Sequence, residues 1–175
     1  MMRIHNGILG LVLGLLIASC NSTVVEQVSQ AEKDSDAFIT ALKEKGDYKE
    51  LTFLNGDESI FYKEIKDAPA ANKGVHPYQN STVAVTLRGE HAITGQEFQP
   101  EQKLASLVLY GNVSAASSQN LVEGVQIALQ NMEVGDTWEV IVPWRLGYGS
   151  TPVSSLIPAY SPLKFTLTLD QIVKP

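Results

Sequence analysis

Few side chains in this chain are able to do chemistry, and their types exclude several kinds of active site. Of the three histidines, His5 lies in an apolar leader, and His76 and His91 lie in loop-like segments where a solvated ring is the ordinary outcome. No histidine, cysteine or carboxylate cluster has the spacing of a metal site, so the sequence predicts neither metal nor cofactor. Tyr148 differs, because it stands between two glycines in a loop rich in glycine, serine and proline, where it is poorly placed to fill a core. A functional role is therefore favoured for Tyr148 over a place in the core.

Cys20 is the only cysteine, and its surroundings predict a chemical modification. It follows a charge-free apolar run at residues 8–17 and the small residues Ala18 and Ser19, with Arg3 ahead of the run. This pattern is typical of a secretory signal, and the run is too short for a membrane span of about 20 residues. A cysteine directly after such a cut site resembles the bacterial lipobox, in which signal removal leaves a lipidated N-terminal cysteine.

We therefore expect a signal peptide at 1–19 and lipid attachment at Cys20. The protein would lie in the cell envelope, anchored to a bacterial membrane, with the outer membrane and its periplasmic face as the expected site. The other interpretation is an ordinary signal peptide followed by an incidental cysteine.

The net charge of the chain limits the kinds of molecule that it could bind. The chain has 175 residues and a formal net charge of −6, which becomes −7 when removal of residues 1–19 takes Arg3 away. An acidic chain argues against nucleic acid, which binds basic surfaces. The remaining residues suffice for one ordinary domain. We expect a lipid-anchored tether at 20–50 that contains a short helix, and a folded domain at 51–175.

Hydrophobic periodicity predicts an α+β domain. A short helix at 37–46 is indicated by Phe38, Ile39 and Leu42 on one face, with residues 34–36 as N-cap candidates and Gly46 as its stop. Because residues 21–34 lack a sustained heptad repeat, we expect a monomer. The other periodic segments predict strands at 59–65, 82–88, 104–110, 137–142 and 163–172, a helix at 121–132 and a long loop at 147–162. The sum is an antiparallel sheet covered by one amphipathic helix.

A series of short motifs then resembles a known family. In order along the chain they are VTLRG at 85–89, TGQEF at 94–98, LVEGV at 121–125, ALQNMEVGD at 128–136, IVP at 141–143, LGYG at 146–149, LIP at 156–158 and LKFTLTL at 163–169. The series is similar to that of the FKBP-type peptidyl-prolyl cis-trans isomerases over residues 75–173. The resemblance implies a bent antiparallel sheet, or half-barrel, wrapping one short helix. It also implies isomerisation of X-Pro bonds, here in unfolded or exported polypeptides that contain proline.

The resemblance also implies site residues. Phe98 matches the pocket phenylalanine, Val122 the residue that offers a backbone N–H, and Tyr148 the tyrosine whose hydroxyl binds a substrate carbonyl. The remaining pocket positions that the resemblance implies are Leu87, Gln99, Val108, Leu121, Val125, Leu156, Ile157 and Phe165.

Four of the matched positions depart from the family pattern. Leu87 stands for a tyrosine, Gln99 for an aspartate, Val125 for a tryptophan and Ser106 for a phenylalanine. Since an aromatic side chain buries about 150–250 Å², these changes predict a wider, less shaped cavity and reduced activity. The alternative is a binding or chaperone module that has lost catalysis.

Overall fold

The computed structural model describes residues 20–52, 58–109 and 121–175, so the predicted signal peptide at 1–19 lies outside the described residues. The elements found along the described residues are helix α1 (Cys20–Lys45), strands β1 (Lys49–Thr52), β2 (Ser59–Lys66), β3 (Thr82–His91) and β4 (Glu97–Val108), helix α2 (Glu123–Asn131), and strands β5 (Thr137–Val142) and β6 (Leu163–Lys174). Short 3-10 turns lie at Ala70–Asn72 and Trp144–Leu146.

The strands form one antiparallel sheet in the order β1-β2-β5-β6-β3-β4, which leaves β1 and β4 at its edges. The pairing of β3 is interrupted by shifts of register on both of its sides, near Val85 with β6 and near Leu87 and Gly89 with β4. Such bulges bend a strand and increase its twist, which curves the sheet around α2. The predicted α+β architecture, a bent antiparallel sheet with one covering helix, is confirmed.

Helix α2 lies against the inner face of the sheet because its apolar residues recur at intervals of three and four. Val125, Ala128 and Leu129 are buried in the same core as Val140 and Leu167 of the central strands. Gly124 sets how closely the helix approaches, since a Cβ at this position would lie 2.4 Å from Val142 Cγ1 on β5. The small residue at the start of α2 thus fixes the height of the helix above the sheet.

Helix α1 is longer than predicted. It has 26 residues and includes the segment 20–34, which the sequence indicated as a partly helical tether ahead of the short helix at 37–46. The expected N-cap at 34–36 is wrong because α1 begins at Cys20 and these residues lie in its middle, where Ser35 is fully buried and Asp36 is bonded to the domain. The predicted stop is correct: Gly46 has φ +68 and its N–H bonds to the carbonyls of Leu42 and Lys43. In the ranges that the structure describes, no helix is long and apolar enough to cross a bilayer.

Strand β4 begins at Glu97, earlier than the predicted start at 104. Its first half is polar and contains Pro100, which hid the strand from an analysis based on alternation. Proline is tolerated there because β4 is an edge strand, and the pairing with β3 shifts register between Leu87 and Gly89, opposite this segment. This early start brings Phe98 and Gln99 onto the sheet.

Candidate active site

A cavity of about 290 Å³ opens between the sheet and the N-terminal end of α2. Its lining residues come from five separate parts of the chain, namely β3, β4, the start of α2 with its preceding residues, the loop that follows β5, and β6. The residues that line it are Leu87, Phe98, Gln99, Gln102, Leu104, Leu121, Val122, Val125, Tyr148 and Phe165. The structure therefore brings most of the sequence-predicted positions to one place.

Phe98 and Phe165 form one wall of this cavity. Their ring centroids are 5.7 Å apart at an interplanar angle of 83°, an edge-to-face arrangement. The Phe98 ring lies over Gly89, where a Cβ would stand 2.6 Å from ring atoms Cε2 and Cζ. A glycine in the middle of β3 thus leaves the space in which the aromatic wall is built.

The N-terminal end of α2 presents backbone groups beside the cavity. Val122 has extended backbone angles, φ −62 and ψ 150, and its carbonyl accepts the N–H groups of Val125 and Gln126 at 3.0 and 3.2 Å. The Gln126 side chain donates to the Leu121 carbonyl at 2.6 Å, which ties down the segment entering the helix. The first N–H groups of a helix have no partner within it, so this end of α2 is suited to donating to a carbonyl oxygen.

Tyr148 stands at the open side of the cavity and is 39% exposed. It is held in a turn in which Gly149 adopts φ +73 and donates its N–H to the Trp144 carbonyl at 2.9 Å. Partial burial raises the pKa of the Tyr148 phenol. A phenol holds its proton at neutral pH even without this shift, so the hydroxyl is available as a hydrogen-bond donor.

The base of the cavity is aliphatic. Leu87 and Val125, at the positions where the resemblance implied a tyrosine and a tryptophan, are buried. Gln99 and Gln102 supply side-chain amides to the lining. The Gln99 amide donates to the Pro100 carbonyl at 3.2 Å, so a neutral amide stands where the resemblance implied an acid.

Two lining residues, Gln102 and Leu104, were missed by the sequence analysis. They share one strand face with each other, but the pairing of β4 with β3 shifts register between Gln99 and Gln102. Alternation counted from Phe98 is broken by this shift, so no local pattern in the sequence would have found them.

Val108 does not line the cavity, contrary to prediction. It is 41% exposed, whereas Leu107 and Leu109 on either side of it are buried. The pairing of β4 with β3 shifts register between Leu104 and Leu107, so the inward positions move to Leu107 and Leu109, and Ser106 and Val108 face outward.

Leu156 and Ile157 are also absent from the cavity lining. Ile157 is instead a buried anchor of the long loop, and its carbonyl accepts the N–H groups of Val153 and Ser154 at 3.0 and 3.3 Å. Leu156 is partly buried beside it. The side chain of Cys20 lies outside the described residues, so its lipidation stays a prediction.

The structure places His76 and His91 apart from the cavity, and neither is a lining residue. Across residues 20–52, 58–109 and 121–175, no group of three or more histidine, cysteine or carboxylate side chains is arranged to hold a metal ion. What the cavity offers is an apolar surface with a phenol, two amides and a helix N-terminus around it.

The chain is similar in sequence to one known family and to individual proteins. The family model described as FKBP-type peptidyl-prolyl cis-trans isomerase matches residues 73–170. The chain is 32% identical to the peptidyl-prolyl cis-trans isomerase Mip of Coxiella burnetii over 144 residues, which are 82% of this chain and 55% of that protein. It is 28% identical to the outer membrane protein MIP of Legionella longbeachae, over 91% of this chain and 61% of that one. The chain thus spans little more than half the length of these curated relatives.

Two solved structures are similar to this chain in fold. A peptidyl-prolyl cis-trans isomerase from Pseudomonas syringae pv. tomato superimposes with a TM-score of 0.65 at 27% identity, covering 83% of this chain and 95% of that one. FkpA from Escherichia coli superimposes with a TM-score of 0.64 at 25% identity, covering 88% of this chain and 66% of that one.

Proposed function

The chain belongs to the FKBP-type peptidyl-prolyl cis-trans isomerase family, and we propose that it catalyses the rotation of X-Pro bonds in polypeptides bound at the cavity. The observation that carries this proposal is that Phe98, Val122 and Tyr148, from three separate segments, meet at one cavity lined mainly by apolar side chains.

Rotation of an X-Pro bond requires of the side chains only a complementary shape and hydrogen bonds. Rotation about a peptide bond has a barrier of about 18–20 kcal/mol because amide resonance is lost in the twisted state. An enzyme lowers this barrier by binding the twisted state more tightly than the planar one. Neither a nucleophile nor a metal is needed for such a step.

The cavity supplies both kinds of interaction. The Phe98 and Phe165 rings offer an apolar surface to a proline ring, and the aliphatic base formed by Leu87 and Val125 completes the enclosure. Tyr148 and the Val122 N–H stand as donors to the carbonyls that flank the twisting bond. A phenol is protonated throughout the neutral range at its ordinary pKa of about 10, so donation from Tyr148 persists there.

The substrate preference follows from the lining. Apart from Tyr148 and the two glutamines, the lining side chains are apolar, so we expect large apolar residues to be preferred before proline. Gln99 carries no charge, so the cavity does not repel an acidic residue in the substrate as a carboxylate at this position would.

The test is exchange NMR on an Ala-Leu-Pro peptide in the presence of the protein. The protein used begins at residue 20 and carries Cys20→Ser. We expect the wild type to accelerate cis-trans exchange and Tyr148→Phe to lower the rate several-fold with the fold intact, since one hydrogen bond contributes about 0.5–1.5 kcal/mol. Full activity that is indifferent to Tyr148→Phe would show that the site is wrongly assigned.

A second candidate function, a binding or chaperone module without catalysis, is favoured by the same aliphatic base. Val125 and Leu87 leave the proline ring less aromatic surface than the family pattern implies, and Gln99 supplies no acid. The variant Leu87→Tyr, Gln99→Asp, Val125→Trp separates the two. If the wild type binds the peptide without enhancing exchange and this variant enhances it, the binding module is the correct reading.

We further propose the setting in which this activity operates. The mature protein begins at Cys20 with a signal peptide at 1–19 removed, is anchored by lipid to the outer membrane on its periplasmic face, and acts as a monomer on exported polypeptides. The lipobox-like sequence supports the anchor, and the similarity to a protein named outer membrane protein MIP supports an envelope location. Helix α1 then takes the place of the predicted tether between Cys20 and the domain that follows residue 50.

A further inference from the structure

Helix α1 contacts the turn that carries Tyr148, and the contact runs through one carboxylate. Asp36 Oδ1 accepts the Trp144 indole N–H at 3.0 Å and an Arg145 guanidinium N–H at 3.1 Å. Its second oxygen lies 3.5 Å from the other terminal nitrogen of Arg145. The neighbouring Ser35 has no exposed surface, which shows that α1 is pressed against the domain at this point.

Arg145 adds further links between α1 and the domain. Its guanidinium lies 3.6 Å from a Glu32 carboxylate oxygen on α1 and 3.4 Å from one of Glu58 before β2. The same guanidinium stacks on the Trp144 ring, 4.1 Å from its centroid. Exposed ion pairs such as these are individually weak, so the hydrogen bond from the Trp144 indole to Asp36 is the stronger part of the contact.

Trp144 connects this contact to Tyr148. The Trp144 carbonyl accepts the N–H groups of Gly147 at 3.1 Å and Gly149 at 2.9 Å, the two residues that flank the tyrosine. The Trp144 indole also packs edge-on against Tyr160 at 4.8 Å, and the Tyr160 N–H donates to the Gly149 carbonyl at 3.0 Å. Trp144 therefore holds both ends of the Tyr148 segment.

The segment needs such support. A tyrosine between two glycines has a backbone with large conformational freedom, which must be given up when the hydroxyl is aimed at a substrate. Within the described residues, Tyr148 makes no side-chain hydrogen bond that would fix its ring. The order of this turn comes from its backbone bonds to Trp144, and Trp144 is in turn fixed by Asp36.

We propose that Asp36 is a positioning residue for the isomerase, acting from α1 through Trp144 to hold the turn that aims the Tyr148 hydroxyl into the cavity. The proposal rests on the proposed function, since it assigns Tyr148 a role in the reaction. Because Asp36 acts only through Tyr148, the loss on removing Asp36 cannot exceed the loss on removing the Tyr148 hydroxyl. We expect Asp36→Ala to lower kcat/KM two- to five-fold, mainly through kcat, with KM little changed.

The decisive experiment is a double-mutant cycle of Asp36→Ala and Tyr148→Phe on the chain from residue 20. Asp36→Ala should lower the rate when Tyr148 is present and add no further loss in the Tyr148→Phe background. Asp34→Ala is the matched control, because Asp34 lies on the same helix, is exposed and bonds only to Gln30 among its described neighbours. An equal fold-loss in both backgrounds would overturn the proposal, because it would mean that Asp36 acts through stability alone. No loss at all would overturn it as well.

A spectroscopic measurement separates this proposal from the proposed function. The chain has two tryptophans, so the indole N–H of Trp144 is read beside that of Trp138 as an internal reference. Asp36→Ala should shift the Trp144 indole resonance and the amide resonances of Tyr148 and Gly149 while the Trp138 signal stays in place. If the wild type proves inactive, the proposed function fails, but these shifts still report the coupling. The proposed coupling would be refuted if the Trp144 indole resonance moved while the amide resonances of Tyr148 and Gly149 stayed in place.

Discussion

Gly89→Ala tests whether the aromatic wall of the cavity stands where the structure places it. Gly89 is buried in β3, paired with Gln99 on one side and Phe165 on the other. A Cβ at this position would lie 2.6 Å from two carbons of the Phe98 ring. The optimal separation of two non-bonded carbon atoms is about 3.5–4.0 Å, so the Phe98 ring would have to move away by about 1 Å.

The size of the effect follows from two opposed terms. Placing an extra methyl in a packed region costs about 1–3 kcal/mol, whereas replacing a strand glycine by alanine recovers about 0.5–1 kcal/mol of conformational free energy. Phe98 is only partly buried and lies on an edge strand, so it has room to swing toward solvent. We therefore expect a loss of about 1 kcal/mol in the free energy of unfolding.

The effect on activity should be larger than the effect on stability. A displacement of about 1 Å in a positioning group is able to cost up to 100-fold in rate, and Phe98 is a wall of the cavity rather than a hydrogen-bond donor. We expect kcat/KM to fall by about tenfold in the peptide exchange assay, with urea denaturation reporting the change in stability.

The control for Gly89→Ala removes the ring that the methyl would strike. In a Phe98→Leu background the added methyl meets a smaller side chain, so Gly89→Ala should cost little further stability or activity. If Gly89→Ala alone were as active and stable as the wild type, Phe98 would not lie over Gly89 and the wall would be wrongly described.

Three further outcomes are expected. Cys20→Ser should release the protein from the membrane or leave it unprocessed, and a soluble periplasmic wild type with its N-terminus elsewhere would contradict lipid anchoring. Sedimentation of a fragment beginning at Asn21 should report a monomer at micromolar concentration, whereas a tight dimer lost on deleting residues 21–45 would refute that. The Tyr48 hydroxyl donates to Glu139 at 2.5 Å, and burial together with this carboxylate raises the Tyr48 pKa. A phenol whose pKa is raised on folding stabilises below its unfolded pKa of about 10, so stability should fall as pH rises above 10. Tyr48→Phe should flatten that fall in alkaline denaturation, and an unchanged slope would count against the contact.

The C-terminal half of the domain could be predicted from the sequence because its signals are local. Helix α2 has apolar residues at intervals of three and four, β6 alternates cleanly, and Tyr148 stands between glycines. Each of these patterns depends on residues within one element. The structure accordingly has α2, β5 and β6 within a few residues of the predicted bounds.

Strand β4 shows where local signals fail. Its exposed edge relaxes the requirement for alternation, Pro100 suggests a loop, and the register shift opposite it changes which residues face inward. The pairing with β3 shifts register between Leu104 and Leu107, which exchanges the two faces, so Val108 lies on the outer side although it is an even number of residues from Leu104. The information that sets this register lies in the pairing with β3, not in β4.

The contact between α1 and the Tyr148 turn is beyond the reach of any local pattern. Asp36 and Trp144 are 108 residues apart, and in the sequence Asp36 is one of several polar residues suited to begin a helix. It lies inside α1 instead, and its carboxylate accepts hydrogen bonds from an indole and a guanidinium of the domain. The bond to the indole reaches the turn of the candidate site. A residue that breaks a local rule is thus the one that connects α1 to Tyr148, and this is the physical reason to test Asp36 ahead of the other charged residues on that helix.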